Sequence, residues 1–325
     1  MTPILFGIVL LVLAVLFAFL TSRAFRARRI LVKLLGVIAA LLTLILLGVG
    51  VVDLKGVYAL SARHVNPVSN IKVSSDAAQI VRGQHLASLC ASCHSTTGSP
   101  PLDGAKDNLL GAGNPIADLY PPNLTPGSDL RNWSDGELVR AIREGVDKEG
   151  RALISMPSEV FHNYADKDVE AVVAYLRSQP AVTHETPKRK MGILGTLLIG
   201  AGMFPTAVQS PITQTIVAPA AGPTADYGKY LVSVSGCEAC HGADLTGGKK
   251  LRGGGPPPGP NLTQIVPRWS EPEFVTTLRI GTDPTGHQLD PKAMPWKELS
   301  AAYGDEEMRA IYAYLHGLTP KTSTP

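Results

Sequence analysis

Two short motifs of the form C-x-x-C-H use all four cysteines of this 325-residue chain and constrain its fold more than any other feature. They read Cys-Ala-Ser-Cys-His at residues 90–94 and Cys-Glu-Ala-Cys-His at residues 237–241. Two thiols about one helical turn apart can add to the two vinyl groups of one haem, and the next histidine can then bind the iron. The sequence therefore predicts two covalently bound haem c groups, attached through Cys90, Cys93, His94, Cys237, Cys240 and His241.

Two other uses of paired cysteines compete with haem attachment. A thioredoxin-like C-x-x-C pair follows a strand and gives the adjacent histidine no role. A zinc site built from the four thiolates would leave both histidines without a role. Haem attachment, which takes place outside the cytoplasmic membrane, accounts for every residue of both motifs.

The two motifs belong to a longer internal repeat. Residues 133–153 and 269–289 align without a gap and share nine of 21 residues. An Asn-Leu-Thr string precedes each segment and a Met-Pro pair follows each one. The repeat predicts two copies of one haem domain and a Pro-, Ala- and Thr-rich connection. The boundaries are 75–183 for the first domain, 184–222 for the linker and 223–320 for the second domain.

Each copy is predicted to be helical, so the expected fold class is all-α. Apolar residues recur at helical spacing before each motif and after Trp133 and Trp269. Ser134 and Ser270 precede a glutamate by three residues, which is typical of a capping box. Gly145 and Gly281 are predicted to end these two helices. The Gly- and Pro-rich loops at 98–127 and 246–267 are predicted to be irregular.

The sixth iron ligand decides whether such a haem carries electrons or catalyses. Met156 and Met294 stand at equivalent repeat positions, each before a proline. A lone methionine is usually a core filler, but matching positions in two copies favour ligation of both irons. The predicted iron ligands are therefore His94, Met156, His241 and Met294. His162 and His287 lie near these methionines but have no counterpart in the other copy.

The first 52 residues are predicted to form a transmembrane helical hairpin. Residues 3–20 and 34–52 carry no charge, and each has about the length that a helix needs to cross a bilayer. Five basic and no acidic residues lie between them, so the turn is expected in the cytoplasm and the haem domains on the periplasmic face of a bacterial membrane. A cleaved signal peptide is the alternative for the first segment, although Met1 and Thr2, which precede it, are uncharged.

A third apolar stretch at 191–204 is too short to span a membrane and follows the basic triplet 188–190. It is either a segment on the outer membrane surface or a buried connector between the domains.

The charge distribution excludes a nucleic-acid footprint and suggests a docking face. The formal net charge is +3, but all five basic residues of segment 1–52 lie in its turn or directly before its second apolar run. Residues 76–183 carry nine basic and 14 acidic side chains. A basic surface on a redox partner would therefore complement the first domain.

Other side chains near the motifs leave two interpretations open. Trp133 and Trp269 either hydrogen-bond a haem propionate or pack. Arg143 and Arg279 either pair with propionates or, as we favour, lie on an exposed helix face. The Asn-Leu-Thr strings match a glycosylation signal, but turn and backbone hydrogen bonds are expected for Asn123 and Asn261.

Each copy resembles a class I cytochrome c domain, with an N-terminal helix, C-x-x-C-H, a distal methionine and a C-terminal helix. The resemblance implies close helix crossings at Gly83 and Gly228, against Tyr175 and Tyr314. The Asn-Leu-Thr, Trp-Ser, Arg-x-Gly and Met-Pro string is similar to the cytochrome subunits of bacterial membrane alcohol and gluconate dehydrogenases. Those subunits typically carry three haems, whereas this chain has two motifs.

The expected function is electron transfer rather than enzymatic catalysis. The chain would relay electrons between a membrane dehydrogenase or quinol-oxidising complex and a terminal acceptor, or serve as a subunit of a respiratory or photosynthetic complex. Its layout is also similar to the dihaem subunit of cbb-type oxidases. The alternative is a dihaem peroxidase, which needs an open iron site and an acid–base residue beside it. Partners would be the lipid bilayer and redox proteins.

Overall fold

A computed structural model describes residues 1–204, 206–248 and 258–323. The chain begins with two antiparallel apolar helices, α1 (Pro3–Phe25) and α2 (Ile30–Ser61). Gly7 lies against Asp53 at one end of the pair, and Gly36 lies against Ala24 at the other. Both helices are long and apolar enough to cross a membrane, which is compatible with an anchor. Helix α2 continues past residue 52, the predicted end of the span.

A first helical unit follows and contains the first C-x-x-C-H motif. Its elements are α3 (Ala77–Ala87), a 3₁₀ turn (Ser88–Cys90), α4 (Ala91–His94), strand β1 (Ala117–Asp118), a 3₁₀ turn (Asp129–Asn132), α5 (Asp135–Glu144), α6 (Ser158–Phe161) and α7 (Asp166–Ser178). Beyond it come β2 (Lys190–Met191), which pairs antiparallel with β1, and α8 (Ile193–Gly200), which packs against α2. The two short strands depart from an all-α fold, because the loop predicted to be irregular pairs with the linker.

A second helical unit contains the second motif. Its elements are α9 (Ala225–Val234), α10 (Cys237–His241), α11 (Leu262–Ile265), a 3₁₀ turn (Val266–Arg268), α12 (Glu271–Ile280), α13 (Trp296–Ala302) and α14 (Asp305–His316). Residues 249–257 of the loop predicted to be irregular lie outside the described residues, and its last part is helical instead.

The first and last helices of each unit cross at a glycine. A Cβ on Gly83 of α3 would lie 1.8 Å from the carbonyl oxygen of Ala171 in α7 and 2.9 Å from the Cβ of Tyr175. A Cβ on Gly228 of α9 would lie equally close, at 1.8 Å, to the carbonyl oxygen of Ala310 in α14. No other residue allows the two backbones to approach this closely, because every other side chain begins with that atom.

The ends of α5 and α12 confirm three of the four predicted caps. Ser134 and Glu137 form a capping box at the start of α5. At the start of α12 only half of the box forms, because the Glu273 carboxylate accepts from both the N–H and the hydroxyl of Ser270, each at 2.7 Å. Gly145 and Gly281 end the helices in the left-handed conformation, with φ of 65° and 69°.

The carboxylate of Glu144 holds both flanking segments against the first unit. Its Oε2 accepts from Asn66 Nδ2 at 2.7 Å, and its Oε1 accepts from the backbone N–H of Ile212 at 3.0 Å. The chain that enters the first unit and the chain that leaves it are thus tied to the same helix. The repeat places Ile280 at the equivalent position of the second unit, where this side chain is 58% exposed.

The glycine crossing predicts a steep response to one methyl group. Gly83→Ala should lower the free energy of unfolding by about 1–3 kcal/mol, because the two helices must separate to admit the Cβ. Thermal unfolding of the detergent-solubilised full chain, followed by circular dichroism, measures the loss. Gly48→Ala is the control, since nothing lies within 4 Å of a Cβ there. An unchanged midpoint for Gly83→Ala would contradict the crossing.

Candidate haem-attachment sites

The first motif lies where α3 passes through a 3₁₀ turn into α4. Cys90 ends the turn, and Cys93 and His94 lie in α4, so one winding of the chain separates the two thiols. In the second motif Cys237, Cys240 and His241 share α10. No disulfide joins these four cysteines, all of which lie in the described part of the chain.

The two motif histidines have the same hydrogen-bond geometry. Nδ1 of His94 lies 2.8 Å from the carbonyl oxygen of Pro122, and Nδ1 of His241 lies 2.8 Å from that of Pro260. A carbonyl oxygen only accepts, so Nδ1 carries the proton and Nε2 keeps its lone pair. Among the described residues, neither Nε2 atom has a hydrogen-bond partner. This tautomer is the one a metal-binding imidazole requires, with its second nitrogen fixed by a carbonyl.

Burial keeps both imidazoles neutral. His94 is 9% exposed and His241 is 6% exposed. Burial lowers the pKa of both side chains, against the smaller opposing effect of the hydrogen bond to the proline carbonyl. A neutral imidazole is the form that binds iron. Ring position is also restricted, since a Cβ on Gly259 would lie 2.6 Å from Nδ1 of His241.

The surroundings of the two motifs favour haem attachment over the other two uses of paired cysteines. Burial raises the pKa of Cys90 and of Cys237 to about 12. Within residues 1–204, 206–248 and 258–323, no group of three or more His, Cys, Asp or Glu side chains is placed to hold a metal ion. Each motif follows a helix, α3 or α9, rather than the strand that precedes a thioredoxin-like pair.

The two methionines occupy matching turns. Met156 and Met294 are half-buried and pack against the apolar core. The carbonyl of Met156 accepts from the N–H of Ser158 at 2.8 Å, and that of Met294 accepts from the N–H of Trp296 at 2.7 Å. Each methionine thus stands directly before a short helix, α6 or α13, and their ligation of iron stays a prediction.

The competing histidines have different surroundings. Nδ1 of His162 lies 3.0 Å from the carbonyl oxygen of Arg143, and His287 is exposed. The two histidines therefore have different local structures, whereas the two methionines lie in matching turns.

The surroundings of the two arginines and the two tryptophans bear on the interpretations that the sequence left open. The prediction of an exposed helix face is wrong for Arg143, which is 4% exposed and pairs with Asp166 at 2.7 Å. Arg279 makes the equivalent pair with Asp305 at 2.7 Å, so both arginines bind the first residue of the last helix in their unit. Trp133 is half-buried and packs against the core, as does Trp269.

The predicted backbone hydrogen bonds of the two asparagines are confirmed, and Asn123 also makes the predicted turn, in which its Oδ1 accepts from the N–H of Thr125 at 2.8 Å. Asn123 is 4% exposed and donates to the carbonyl oxygens of Val182 and His184 at 2.8 and 3.0 Å. Asn261 is 8% exposed and donates to the carbonyl oxygen of Lys321 at 2.9 Å. These buried amides hold the chain that follows each last helix against the motif loop.

A cluster of polar side chains, which the sequence did not predict, lies where the two units meet. Arg82 of α3 donates to Asp168 of α7 at 2.9 and 3.0 Å and also to Glu307 of α14, in the other unit. Tyr230 of α9 donates to Asp168 at 2.6 Å and accepts from the backbone N–H of Ala165. Burial, together with Asp168, raises the pKa of Tyr230, so its hydroxyl remains a donor.

The repeat contained a partial signal for this cluster. Alignment of the crossing glycines sets Arg82 opposite Tyr227, and alignment of the last helices sets Asp168 opposite Glu307. As a sequence pattern, the two acidic residues indicate only the start of a helix. Nothing in the repeat shows that the two crossings face each other.

Both C-x-x-C-H motifs begin at this interface. The turn Ser88–Cys90 packs against α13 of the second unit. A Cβ on Gly236, next to Cys237, would lie 3.3 Å from Cγ2 of Val160 in α6 of the first unit. The arrangement is reciprocal, because each motif starts against the short helix that follows the other unit's Met-Pro pair.

Comparison with known proteins is consistent with this geometry. The family model for cytochrome c matches residues 80–180 and 225–319. A subunit of the nicotinate dehydrogenase of Pseudomonas putida is 32% identical over 275 residues, covering 78% of this chain and 23% of that protein. The cytochrome c subunit of the quinone alcohol dehydrogenase of Gluconobacter oxydans is 25% identical over 273 residues, covering 75% of this chain and 55% of that protein. The fructose dehydrogenase cytochrome subunit of Gluconobacter japonicus is 32% identical over 108 residues, covering 31% of this chain and 22% of that protein.

The interface predicts that one hydroxyl couples the two units. Tyr230→Phe removes the bonds to Asp168 and Ala165 and should loosen the interface, because a buried carboxylate loses a donor at a cost of about 1–3 kcal/mol. Hydrogen exchange of the intact chain, read by mass spectrometry, should show faster exchange in α3 and α9.

Tyr312→Phe is the matched control. Its hydroxyl donates to the carbonyl oxygen of Trp269 inside the second unit, at 2.9 Å. Equal exchange rates in α3 for the two variants would contradict a coupling role for Tyr230.

Proposed function

The chain belongs to the cytochrome c family, and from this we propose that it is a membrane-anchored dihaem electron-transfer subunit. It would relay electrons between a membrane dehydrogenase or quinol-oxidising complex and a terminal acceptor. The family implies covalently bound haem c, and the similar proteins include cytochrome subunits of dehydrogenases, consistent with a redox subunit rather than a catalytic one. The chain spans 23% and 55% of the first two relatives' lengths, so partner and substrate are our inference.

The paired histidine geometry carries the proposal of two haems. Each of His94 and His241 offers an unpartnered Nε2, is fixed through Nδ1 by a proline carbonyl, and directly follows a C-x-x-C pair. The residues fit haem c in both units. Cys90 with Cys93, and Cys237 with Cys240, would hold one group each. When bound, haem iron alternates between its ferrous and ferric states and so carries one electron.

Met156 and Met294 are proposed to complete the iron coordination. A thioether ligand favours the reduced state and fills the position that peroxide chemistry would need open. Their matching turns, directly before α6 and α13, support equal roles in both units. Two closed irons fit a carrier better than a peroxidase.

The interface supports transfer between the two units. Each attachment motif begins against a short helix of the other unit, and the cluster around Arg82 holds the units together. Fixed packing keeps the cofactors at one separation, so that an electron can pass without movement of a domain.

The N-terminal pair is proposed to anchor the relay. α1 and α2 would span the membrane, with the basic turn at 23–33 in the cytoplasm and both haem units on the periplasmic face. The excess of acidic residues in 76–183 would face a basic surface on the redox partner.

Substitution of one methionine tests the ligand assignment. Met156→Ala should remove about half of the near-infrared charge-transfer absorption of the oxidised protein, since one of two thioether–iron bonds is lost. Met203→Ala, at an exposed position outside both haem units, should leave the band intact. An unchanged band in Met156→Ala would refute ligation by Met156.

Purification from native membranes tests the relay itself. In mild detergent the chain should be isolated with a dehydrogenase or quinol-oxidising partner, and haem reduction by that partner should slow as ionic strength rises. Turnover of peroxide with a reduced dye by the isolated chain would instead favour the peroxidase.

A further inference from the structure

We infer that residues 193–204 form a re-entrant segment whose tip enters the acyl region of the membrane leaflet nearer to the haem units. This inference rests on the proposed membrane anchor. The segment leaves the first unit after β2, which pairs with β1. It returns at Thr206 and Ala207, which pair with Ile154 and Leu153.

Helix α8 runs antiparallel to α2 and in direct contact with it. A Cβ on Gly56 of α2 would lie 1.8 Å from the carbonyl oxygen of Thr196, and a Cβ on Gly200 would lie 1.9 Å from that of Val52. Later residues of α8 therefore meet earlier residues of α2. The proposed membrane-spanning part of α2 ends near Val52. The chain direction of α8 therefore points from the last turns of α2 toward this membrane-spanning part.

A side-chain bond fixes this register. Asp53 is fully buried, and its Oδ1 accepts from Oγ1 of Thr196 at 2.5 Å. Small residues at Gly56 and Gly200 permit backbone contact, as in the packing of helices within membranes. The pair therefore holds α8 against the last turns of the proposed span.

The tip extends beyond this contact and is apolar. Residues 191–204 contain no charged side chain. Helix α8 ends at Gly200, whose backbone contacts Val52 of α2, and a turn at 201–204 follows. Met203 lies in this turn, at the end of α8 nearer to the apolar part of α2, and its side chain is 73% exposed. An apolar side chain that is exposed at this position could contact the acyl chains of the lipids.

The backbone N–H groups of the tip donate hydrogen bonds within the segment and therefore do not need water as an acceptor. The N–H groups of Ala201, Gly202 and Met203 donate to the carbonyl oxygens of Leu197, Ile199 and Leu198, at 2.9, 3.0 and 2.8 Å. The N–H of Phe204 also donates to the Leu198 carbonyl, at 3.2 Å. Non-helical backbone at membrane depth needs such internal partners, since hydrocarbon offers none.

Basic side chains surround the base of the segment. Lys188 and Lys190 are exposed immediately before α8. Arg189 donates to the carbonyl oxygen of Ala152 at 3.0 Å, and Arg63 follows α2. Arg151, which forms a backbone bridge with Arg63, is already paired with Asp147 and Glu149, so the cations here without an ion pair among the described residues are the lysines, Arg189 and Arg63. These cations lie where phospholipid head groups would meet the protein.

Site-directed spin labels in lipid nanodiscs test the depth of the tip. Met203→Cys places a nitroxide at the tip, Leu44→Cys places one on the exposed face of α2, and Val217→Cys places one in the linker. These three apolar side chains are 73%, 66% and 79% exposed, so accessibility in the protein alone is matched. The haem spectrum and the mass of each labelled chain confirm that the native cysteines remain blocked by haem.

Collision with oxygen and with a water-soluble nickel chelate reports the surroundings of each label. The inference predicts that Met203→Cys resembles Leu44→Cys, with an oxygen-to-nickel ratio several-fold above that of Val217→Cys. A ratio at Met203→Cys equal to that of Val217→Cys would overturn the re-entrant segment. A low oxygen-to-nickel ratio at Leu44→Cys, as expected for a label in water, would instead overturn the proposed anchor. The two failures are therefore distinguishable.

Discussion

The crossing of the first and last helices at a glycine is the constraint on which the rest of each unit depends. At Gly83 and at Gly228 a single added carbon would lie 1.8 Å from a carbonyl oxygen of the opposing helix. This contact fixes the direction of α3 and α9, and therefore the place where each C-x-x-C-H motif begins. The proline carbonyls that orient His94 and His241 then lie on the loops that return over the motifs. The positions of the residues that we propose to attach haem and bind iron therefore depend on this backbone contact.

Two copies of one unit have acquired different surroundings. Glu144 binds the chain on both sides of the first unit, whereas the equivalent Ile280 is exposed. At the interface Arg82 stands where the second unit has Tyr227. This one arginine therefore pairs both with Asp168 of its own unit and with Glu307 of the neighbouring unit. Separation of the units would break the ion pair between Arg82 and Glu307 and the hydrogen bond from Tyr230 to Asp168. Asymmetry at equivalent positions thus holds the units together.

Local signals in the sequence predicted local structure well. The capping box at Ser134, the hydrogen bonds from Ser270 to Glu273 and the glycine ends of α5 and α12 depend on neighbours within a few residues. The amides of Asn123 and Asn261 instead donate to carbonyl oxygens of the chain that follows each last helix. The prediction for Arg143 is wrong because its partner, Asp166, is brought near by tertiary folding and not by helical spacing. The interface around Arg82 and the contact of α8 with α2 depend on how separate segments meet, which no periodicity records. Composition alone allows two interpretations of residues 191–204, and the register of Gly56 against Thr196 supplies the direction that composition lacks.

The central claim is that one chain carries two covalent haems, one on each C-x-x-C-H motif. Intact-mass measurement of the purified chain, followed by mass analysis of the peptides that contain residues 90–94 and 237–241, tests it most directly. The chain should carry the mass of two haems, and each of the two peptides should retain one. A chain with a single haem, or with free thiols at either motif, would contradict it.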